Sequence, residues 1–277
     1  MIIFICVCIV VSSEITFVIG ILGGRDVTID RVPHHVSYGD ICGGVLVHRK
    51  WALTVAHCGT DKDYIRVGSR YRLKGVQIKI KKHLIHPLYQ KEHSFDFDVQ
   101  LLGLFRGLNF GKTIKDIEIS DGGCDKYIDM SGWGYGEERG DYNHILQQVR
   151  IKLVVFELCQ MVDQPWYNGT LTGRMFCAGG GRGGGPDGGG DACQGDSGGG
   201  AVSNNRLVGL SSFGYGCGRG VPGVYVNVSN PGIISWIRQY TVRVRVPSPS
   251  RRRERSFNSA WDLRPRCRFK GPLTNAR

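Results

Sequence analysis

Residues 191–199 read DACQGDSGG, and the core of this stretch, Gly195-Asp196-Ser197-Gly198-Gly199, carries the most chemical information in the chain. A serine hydroxyl is a weak nucleophile until a base takes its proton, so a reactive serine needs an exposed tight turn beside an imidazole. Glycines on both sides permit such a turn and leave backbone N–H groups free to donate to a substrate oxygen. Gly-rich loops with Asp and Ser are common, however, so the stretch alone is a moderate signal.

A candidate base for Ser197 lies in the segment LTVAHC at residues 53–58. His57 follows an apolar strand-like run and precedes Cys58, so a disulfide could hold it in place as a general base. Taken in isolation, the same histidine fits a buried structural role better.

A candidate partner for His57 lies in the segment FDVQLL at residues 97–102. Asp98 is predicted to start an apolar strand, and a buried carboxylate without a partner is costly. The imidazolium of His57 would supply that partner. Asp96 lies two residues earlier and is expected to face the other side of the strand, so we reject it for this role.

Composition and charge limit the classes of protein that fit. The chain has 277 residues with 41 glycines and 10 prolines, which indicates many turns and few long helices. Its formal net charge is +12, but residues 241–277 contain 11 Arg and Lys against Glu254 and Asp262, which leaves +3 for the rest. The strong positive charge therefore belongs to a tail, and we expect no nucleic-acid partner.

The N-terminal residues resemble an export signal. Residues 1–11 are almost purely apolar and are followed by Ser12 and Ser13, although an early Lys or Arg is missing. Eight of the ten cysteines lie outside this segment, and in an exported chain that number indicates a disulfide framework rather than metal sites. No apolar run reaches the ~18 residues of a membrane-spanning helix, so we expect no membrane partner.

Between residues 21 and 240 many short segments rich in Val, Ile and Leu alternate with Gly, Asp and Asn. This spacing favours a β sandwich or barrel. The exception is residues 230–240, where apolar side chains at three- and four-residue spacing predict a closing helix.

Six motifs in order resemble the trypsin-like serine proteases of the chymotrypsin fold. They are ILGG at 21–24, AHC at 56–58, DVQLL at 98–102, SGWG at 131–134, DACQGDSGG at 191–199 and PGVYVNV at 222–228. The resemblance implies an all-β fold of two six-stranded antiparallel Greek-key barrels with a short C-terminal helix. It divides the chain into a signal peptide at 1–20, with room for a very short propeptide, a peptidase domain at 21–240 with barrels at about 21–122 and 123–240, and a basic tail at 241–277.

The resemblance also implies roles for the residues found above. Ser197 would attack the scissile carbonyl, His57 would accept its proton, and Asp98 would hold the imidazole in the productive tautomer. The backbone N–H groups of Gly195 and Ser197 would form the oxyanion hole.

Substrate selection is implied by Asp191, which matches the residue at the base of the primary pocket in this family. A carboxylate there would pair with a substrate Arg or Lys, and Ala192, where trypsin carries a serine, favours Arg over Lys. Ser212, Gly214 and Gly223 are the further substrate-binding residues that the resemblance implies.

Activation departs from the family pattern. Family members usually become active when cleavage after a basic residue frees an amine that pairs with the acid before the nucleophile, here Ile21 and Asp196. Gly20 precedes Ile21, so a trypsin-like activator has no residue to cut after. Our hypothesis is that removal of the signal peptide itself exposes Ile21.

Disulfide pairing is implied by the resemblance at three places: Cys42 with Cys58, Cys159 with Cys177, and Cys193 with Cys217. Cys124 and Cys267 remain, and a link between them has weak support. Asn168 begins a glycosylation sequon in a turn-like context.

The sequence therefore predicts a secreted, extracellular, monomeric serine endopeptidase that acts on protein or peptide substrates after Arg or Lys and is bound by proteinaceous inhibitors. Neither cofactor nor metal is expected, because residues 70–75 lack acidic calcium ligands. The alternative is a catalytically silent homologue that works as a binding or regulatory protein. Polyanion binding by the tail is a third possibility, but a disordered appendage or a coding-sequence error explains that tail more simply.

Overall fold

Strands dominate the computed structural model, which describes residues 23–136, 140–164, 167–180 and 192–241. Several predictions concern residues outside these ranges and stay untested by the structure: the signal peptide, Ile21, the glycine run 181–190, Asp191 and the tail from 242 onward, with Cys267. No helix in the described ranges is both long and apolar enough to cross a membrane.

A two-residue strand, β1 (Arg25–Asp26), precedes the first barrel and pairs with a strand of the second. The first barrel is a closed antiparallel sheet whose spatial order is β2-β3-β4-β7-β6-β5. Its strands are β2 (His35–Tyr38), β3 (Cys42–His48), β4 (Trp51–Thr54), β5 (Tyr64–Val67), β6 (Val76–Ile85) and β7 (Gln100–Leu104).

The second barrel closes where β8 pairs with β9, in the spatial order β9-β10-β13-β12-β11-β8. Its strands are β8 (Tyr127–Gly132), β9 (Gln147–Val154), β10 (Met175–Gly179), β11 (Gly200–Ser203), β12 (Arg206–Phe213) and β13 (Pro222–Asn227). A one-turn helix, α1 (Phe156–Gln160), follows β9.

Alternating side chains explain why these segments are strands. In β9, Val149, Ile151 and Leu153 are buried while Arg150 and Lys152 are exposed. A period of two places one set in the barrel interior and the other in water. The two-barrel, antiparallel fold expected from the motifs is confirmed.

The chain closes with α2 (Pro231–Thr241), close to the helix predicted at 230–240. Asn230 caps its first turn by accepting a hydrogen bond from the Gly232 N–H at 3.0 Å, and Pro231 suits the first helical position. The apolar face, with Ile233 and Trp236, joins the same buried cluster as the first-barrel strands and β12 and β13. This cluster holds the two barrels against one another and so positions the loops between them.

Candidate active site

His57 lies in a 3₁₀ turn, Ala56–Cys58, directly after β4. Its backbone N–H donates to Oδ1 of Asp98 at 2.9 Å, and its Nδ1 lies 2.7 Å from Oδ2 of the same residue. These two contacts hold both the main chain and the ring. Because Nδ1 faces the carboxylate, Nε2 is the nitrogen left available to a substrate or a hydroxyl.

The Asp98 carboxylate is fully buried and receives a further donor that the sequence did not predict. The Ser212 hydroxyl donates to its Oδ2 at 2.6 Å. Ser212 was expected as a substrate-binding residue, and although it lines the cavity described below, its hydroxyl is committed to Asp98. No sequence signal reveals this contact, because the two residues are 114 positions apart. A buried carboxylate is tolerated here because three donors compensate its lost hydration.

The Ser197 turn is attached to both barrels by its backbone. The Gly43 N–H of β3 donates to the Ser197 carbonyl at 2.8 Å, and the Gly198 N–H donates to the Ser211 carbonyl of β12 at 2.8 Å. Gly198 has a φ of +83°, and a side chain at this position would collide with Thr54 and Gly43. Only glycine therefore lets the turn approach the first barrel this closely.

The backbone N–H groups of Gly195 and Ser197 donate to no protein acceptor within the described residues. Gly195 adopts a φ of +92°, and the ring of Tyr142 occupies the space that a side chain would need. Unused N–H donors beside a serine hydroxyl are the elements from which an anion-binding hole is built.

A cavity of about 250 Å³ opens beside Ser197 and His57. Four of the five residues predicted to bind substrate line it or its entrance: Ala192, Ser212, Gly214 and Gly223. The fifth, Asp191, lies outside the described residues. One wall is closed by the disulfide Cys193–Cys217, whose sulfurs are 2.08 Å apart.

The hydroxyl of Ser197 and the ring of His57 face this same cavity. No hydrogen bond joins the two groups within the part of the chain that the structure describes. Contacts of this kind are often long in unliganded sites and tighten when substrate binds. The fold thus brings three distant residues to one place, with the Asp98–His57 contact already formed.

Two aromatic residues next to the cavity were not predicted. The Phe95 ring meets the His57 ring edge-on, with centroids 5.7 Å apart, and stacks on Phe213 at 4.7 Å. The pair forms an apolar wall that limits how far the imidazole can swing away from Asp98.

Asp196 is buried between Gly132, Gly134 and Cys193. Its two carboxylate oxygens accept the N–H groups of Gly134 at 2.9 Å and Cys193 at 3.0 Å. Burial raises the pKa of Asp196 to about 6, and the two N–H donors offset only part of that rise. A nearby cation would favour the ionised form of this carboxyl.

Asp96 also points away from His57, but the reason predicted from the sequence was wrong, because side chains two residues apart in a strand face the same side. The residue does not lie in a strand: Phe95 and Phe97 on either side have φ values of +60° and +52°, and β7 begins only at Gln100. This irregular turn directs the buried Asp96 carboxylate toward Arg174, whose Nε and Nη2 donate to it at 2.7 and 2.6 Å. A strand's alternation therefore did not decide between Asp96 and Asp98.

The Asp96–Arg174 pair is expected to stabilise the turn rather than to take part in catalysis. Arg174→Met leaves a fully buried carboxylate without its cation, so we expect the free energy of unfolding to fall by about 3 kcal/mol. Adding Asp96→Asn to this variant should restore part of the loss. Urea unfolding measures the stability of the single and the double variant. The peptidase activity of the folded Asp96→Asn single variant should fall by less than about tenfold. A much larger loss would reassign the partner of His57 to Asp96.

The three disulfides implied by the resemblance are present, and the first joins the turn of His57 to β3. The pairs are Cys42–Cys58, Cys159–Cys177 and Cys193–Cys217. Cys124 is half-buried against the second barrel's core, and its proposed partner Cys267 lies outside the described residues. Asn168, the predicted glycosylation site, is exposed in a turn.

Comparisons with known proteins agree with this arrangement. The family model described as Trypsin matches residues 21–237. The chain is 34% identical to Trypsin 5G1 of Aedes aegypti over 236 residues, covering 79% of this chain and 84% of the relative. It is also 34% identical to the vitellin-degrading protease of Bombyx mori over 248 residues, covering 84% and 90% of the two chains. Among solved structures it is similar to neuropsin, a serine protease expressed in the limbic system of mouse brain, with a TM-score of 0.68, 29% identity and coverage of 78% and 97%.

Proposed function

We propose that this chain, which belongs to the trypsin family of serine proteases, is a secreted endopeptidase. It cleaves after Arg and Lys through Ser197, His57 and Asp98. The observation that carries the proposal is the cavity that Ser197 shares with His57, whose ring lies 2.7 Å from a buried carboxylate. Protein or peptide substrates and serine endopeptidase chemistry follow from the family itself. The residue roles and the specificity are the finer part of the proposal.

Each of these groups is suited to one step of peptide-bond hydrolysis. Nε2 of His57 takes the proton of the Ser197 hydroxyl while the oxygen attacks the scissile carbonyl, and the imidazolium then passes that proton to the leaving amine. Asp98 keeps the proton of the ring on Nδ1 and stabilises the imidazolium. The N–H groups of Gly195 and Ser197 donate to the oxyanion that forms, a contribution typically worth about 3 kcal/mol per donor.

Specificity is proposed to rest on Asp191, next to Ala192 at the cavity wall. A carboxylate inside a pocket walled by Gly214 and Gly223 would attract a long cationic side chain, and the missing side chains leave room for it. Ala192 has no hydroxyl to donate or accept, so a lysine ammonium would lose a partner there. A guanidinium can instead make two bonds to one carboxylate.

Amide substrates that differ only in the residue before the cleaved bond test this function. We expect the Arg amide to be hydrolysed with a kcat/KM about tenfold above the Lys amide, and a Phe amide to be inert. Asp191→Asn should lower kcat/KM for the Arg amide by roughly 10²–10³-fold, because the charge pair with the substrate is lost. Equal cleavage of Arg and Lys amides would refute the role of Ala192, and an inert Arg amide would refute the function.

Secretion is proposed from the apolar N-terminal segment together with the three disulfides, which persist in oxidising compartments.

The buried Asp196 carboxyl, whose pKa is raised to about 6, supports a cationic partner, and the α-amine of Ile21 is our candidate. Signal removal before Ile21 would supply that amine without a separate activating protease.

The chain that begins at Ile21 is therefore expected to be more stable than a chain carrying preceding residues. A raised carboxyl pKa costs stability as pH rises from about 4 to about 6, and pairing with an amine removes that cost. The difference should be small at pH 4 and reach on the order of 3 kcal/mol at pH 7. Urea unfolding of both forms in a Ser197→Ala background measures it, with Asp196→Asn abolishing the pH dependence.

N-terminal sequencing of secreted protein checks the same proposal directly. Ile21 should be the first residue. A mature chain that starts at Glu14 or elsewhere would contradict the pairing of Ile21 with Asp196. A stability difference that does not change with pH would also contradict it.

A further inference from the structure

The hairpin of β5 and β6 carries an uncompensated positive charge. Residues 64–83 contain seven Lys and Arg and no Asp or Glu, so the other residues up to 240 have a net charge of −4. Four of the seven are exposed lysines: Lys74, Lys79, Lys81 and Lys82. Clustered like charges repel each other and create a potential that attracts anions.

Among the residues that the structure describes, one of the seven cations has a carboxylate partner. Arg66 binds Asp40, with Nε to Oδ1 at 2.8 Å. Within the described ranges, no Asp or Glu lies within ion-pair distance of the other six, which are Arg70, Arg72, Lys74, Lys79, Lys81 and Lys82. We call these six, with the exposed apolar residues Tyr71, Leu73 and Val76, the cationic hairpin surface.

The strand and the tip of the hairpin are connected by direct contacts. Lys79 is opposite Tyr64 in the β5–β6 register, and the Tyr64 hydroxyl donates to Oδ2 of Asp40 at 2.7 Å. Nη1 of Arg72 donates to the carbonyl of Asp40. Asp40 thus contacts both strand β5 and the tip of the hairpin.

The tip is also held in one conformation. The carbonyl of Arg70 accepts the N–H of Leu146 at 2.8 Å, and the N–H of Arg72 donates to the carbonyl of His144 at 3.0 Å. A surface that is already ordered loses little conformational entropy when a partner binds.

Three apolar side chains are interspersed among the cations. Tyr71, Leu73 and Val76 are about half exposed, at 49%, 50% and 49%. A sulfated polysaccharide would use the cations of this surface but has no apolar side chains to cover the rest. A protein segment with both acidic and apolar side chains would use both.

The surface lies beside the turn of Ser197 and is linked to it through residues that do not line the cavity. The Arg72 guanidinium lies 4.5 Å from the centre of the Tyr142 ring, which packs against Gly195. The Tyr142 hydroxyl donates to the carbonyl of Ile41 at 3.2 Å, and Ile41 is 51% exposed. When the residue before the cleaved bond fills the pocket, the chain after that bond must leave on another side, and Ile41 and Tyr142 border one such path.

We propose that the cationic hairpin surface binds an acidic protein segment that also carries apolar side chains, and that in a substrate this segment follows the cleaved bond. The binding itself is independent of catalysis. The placement after the cleaved bond rests on the proposed function.

Binding is tested with the full-length Ser197→Ala protein and two short labelled peptides. One alternates Asp and Glu with Phe and Leu, and the other has serine in place of each apolar residue. Fluorescence anisotropy should show that the first peptide binds more tightly than the second. Added salt should weaken the binding of the first peptide. Lys74→Glu/Lys79→Glu should weaken its binding about tenfold or more, because each reversal replaces an attraction by a repulsion.

The matched control is Lys126→Glu/Lys152→Glu, which makes the same charge change at exposed positions of the second barrel. It should alter binding by less than about twofold, and the basic tail is common to both variants. Equal losses in the two variants would overturn the proposal. So would a serine peptide or a heparin fragment that binds as tightly as the apolar peptide.

Placement after the cleaved bond is tested with active enzyme. Two peptide substrates share every residue up to the cleaved Arg and continue with either the acidic–apolar segment or a neutral one. The acidic substrate should have a kcat/KM about tenfold higher, and Lys74→Glu/Lys79→Glu should abolish that advantage. Hydrolysis of the Arg amide should be unchanged in this variant.

These readouts separate the two proposals. An inert Arg amide counts against the proposed function and leaves the anisotropy result to decide on the surface. If the Arg amide is hydrolysed but the acidic substrate has no advantage, the placement of the segment after the cleaved bond is overturned.

Discussion

Replacing Ser197 with alanine is expected to lower kcat for the Arg amide by about 10⁶-fold, the size of effect seen when a serine protease loses its nucleophile. The hydroxyl is the only group of this residue that the substitution removes. The Ser197 carbonyl, which accepts the Gly43 N–H at 2.8 Å, is retained. The turn should therefore keep its place, and the N–H groups of Gly195 and residue 197 should leave a small residual rate.

His57→Ala and the double variant complete this test. Because the imidazole and the hydroxyl act as one unit, the double variant should be no slower than either single variant. Titration of the active site and burst kinetics identify the acyl-enzyme, and thermal unfolding checks that each variant is folded. Wild-type protein that hydrolyses no faster than Ser197→Ala would support the silent homologue instead.

Asp98→Asn is expected to lower kcat by about 10⁴-fold near neutral pH while changing KM little. Asp98 accepts a hydrogen bond from the Nδ1–H of His57, with Nδ1 and Oδ2 2.7 Å apart, and this leaves Nε2 free to take a proton. An asparagine that donates to Nδ1 would hold the ring in the other tautomer, with its proton on Nε2. That ring cannot act as a base toward Ser197.

Ser212→Ala is the matched control for this position. It removes one of three donors to Asp98 but leaves the contact with His57 in place, so we expect a loss of kcat of about tenfold or less. Steady-state kinetics separate kcat from KM, and urea unfolding corrects for lost stability. A loss below tenfold in Asp98→Asn would show that the buried carboxylate does not orient the imidazole.

The fold was predictable because its signals are local and ordered along the chain. Short apolar segments between turn residues predicted strands, and the apolar spacing at 230–240 predicted a helix, which the structure has at Pro231–Thr241. Six motifs in order indicated the family, which the comparisons confirm over residues 21–237. Short-range patterns suffice for such predictions, since they decide which side chains face the interior.

The details of the site were less predictable. Ser212 was expected to bind substrate, and the sequence did not predict that its hydroxyl donates to Asp98. The preference for Asp98 over Asp96 was argued from a strand, whereas a turn with two positive-φ phenylalanines separates the two side chains. In each case the partner of the side chain lies more than seventy positions away in the chain.

By itself, the amino-acid sequence determined the type of chemistry this protein can attempt, since a serine between glycines, a histidine and an aspartate occur in family motifs. Only the tertiary structure decided how those groups meet. It buried one carboxylate under three donors, turned another toward Arg174, and left a row of lysines on one hairpin without an anionic partner among the described residues. The physical reason is that a side chain's reactivity depends on its distances to charges and donors, which only the packed chain sets.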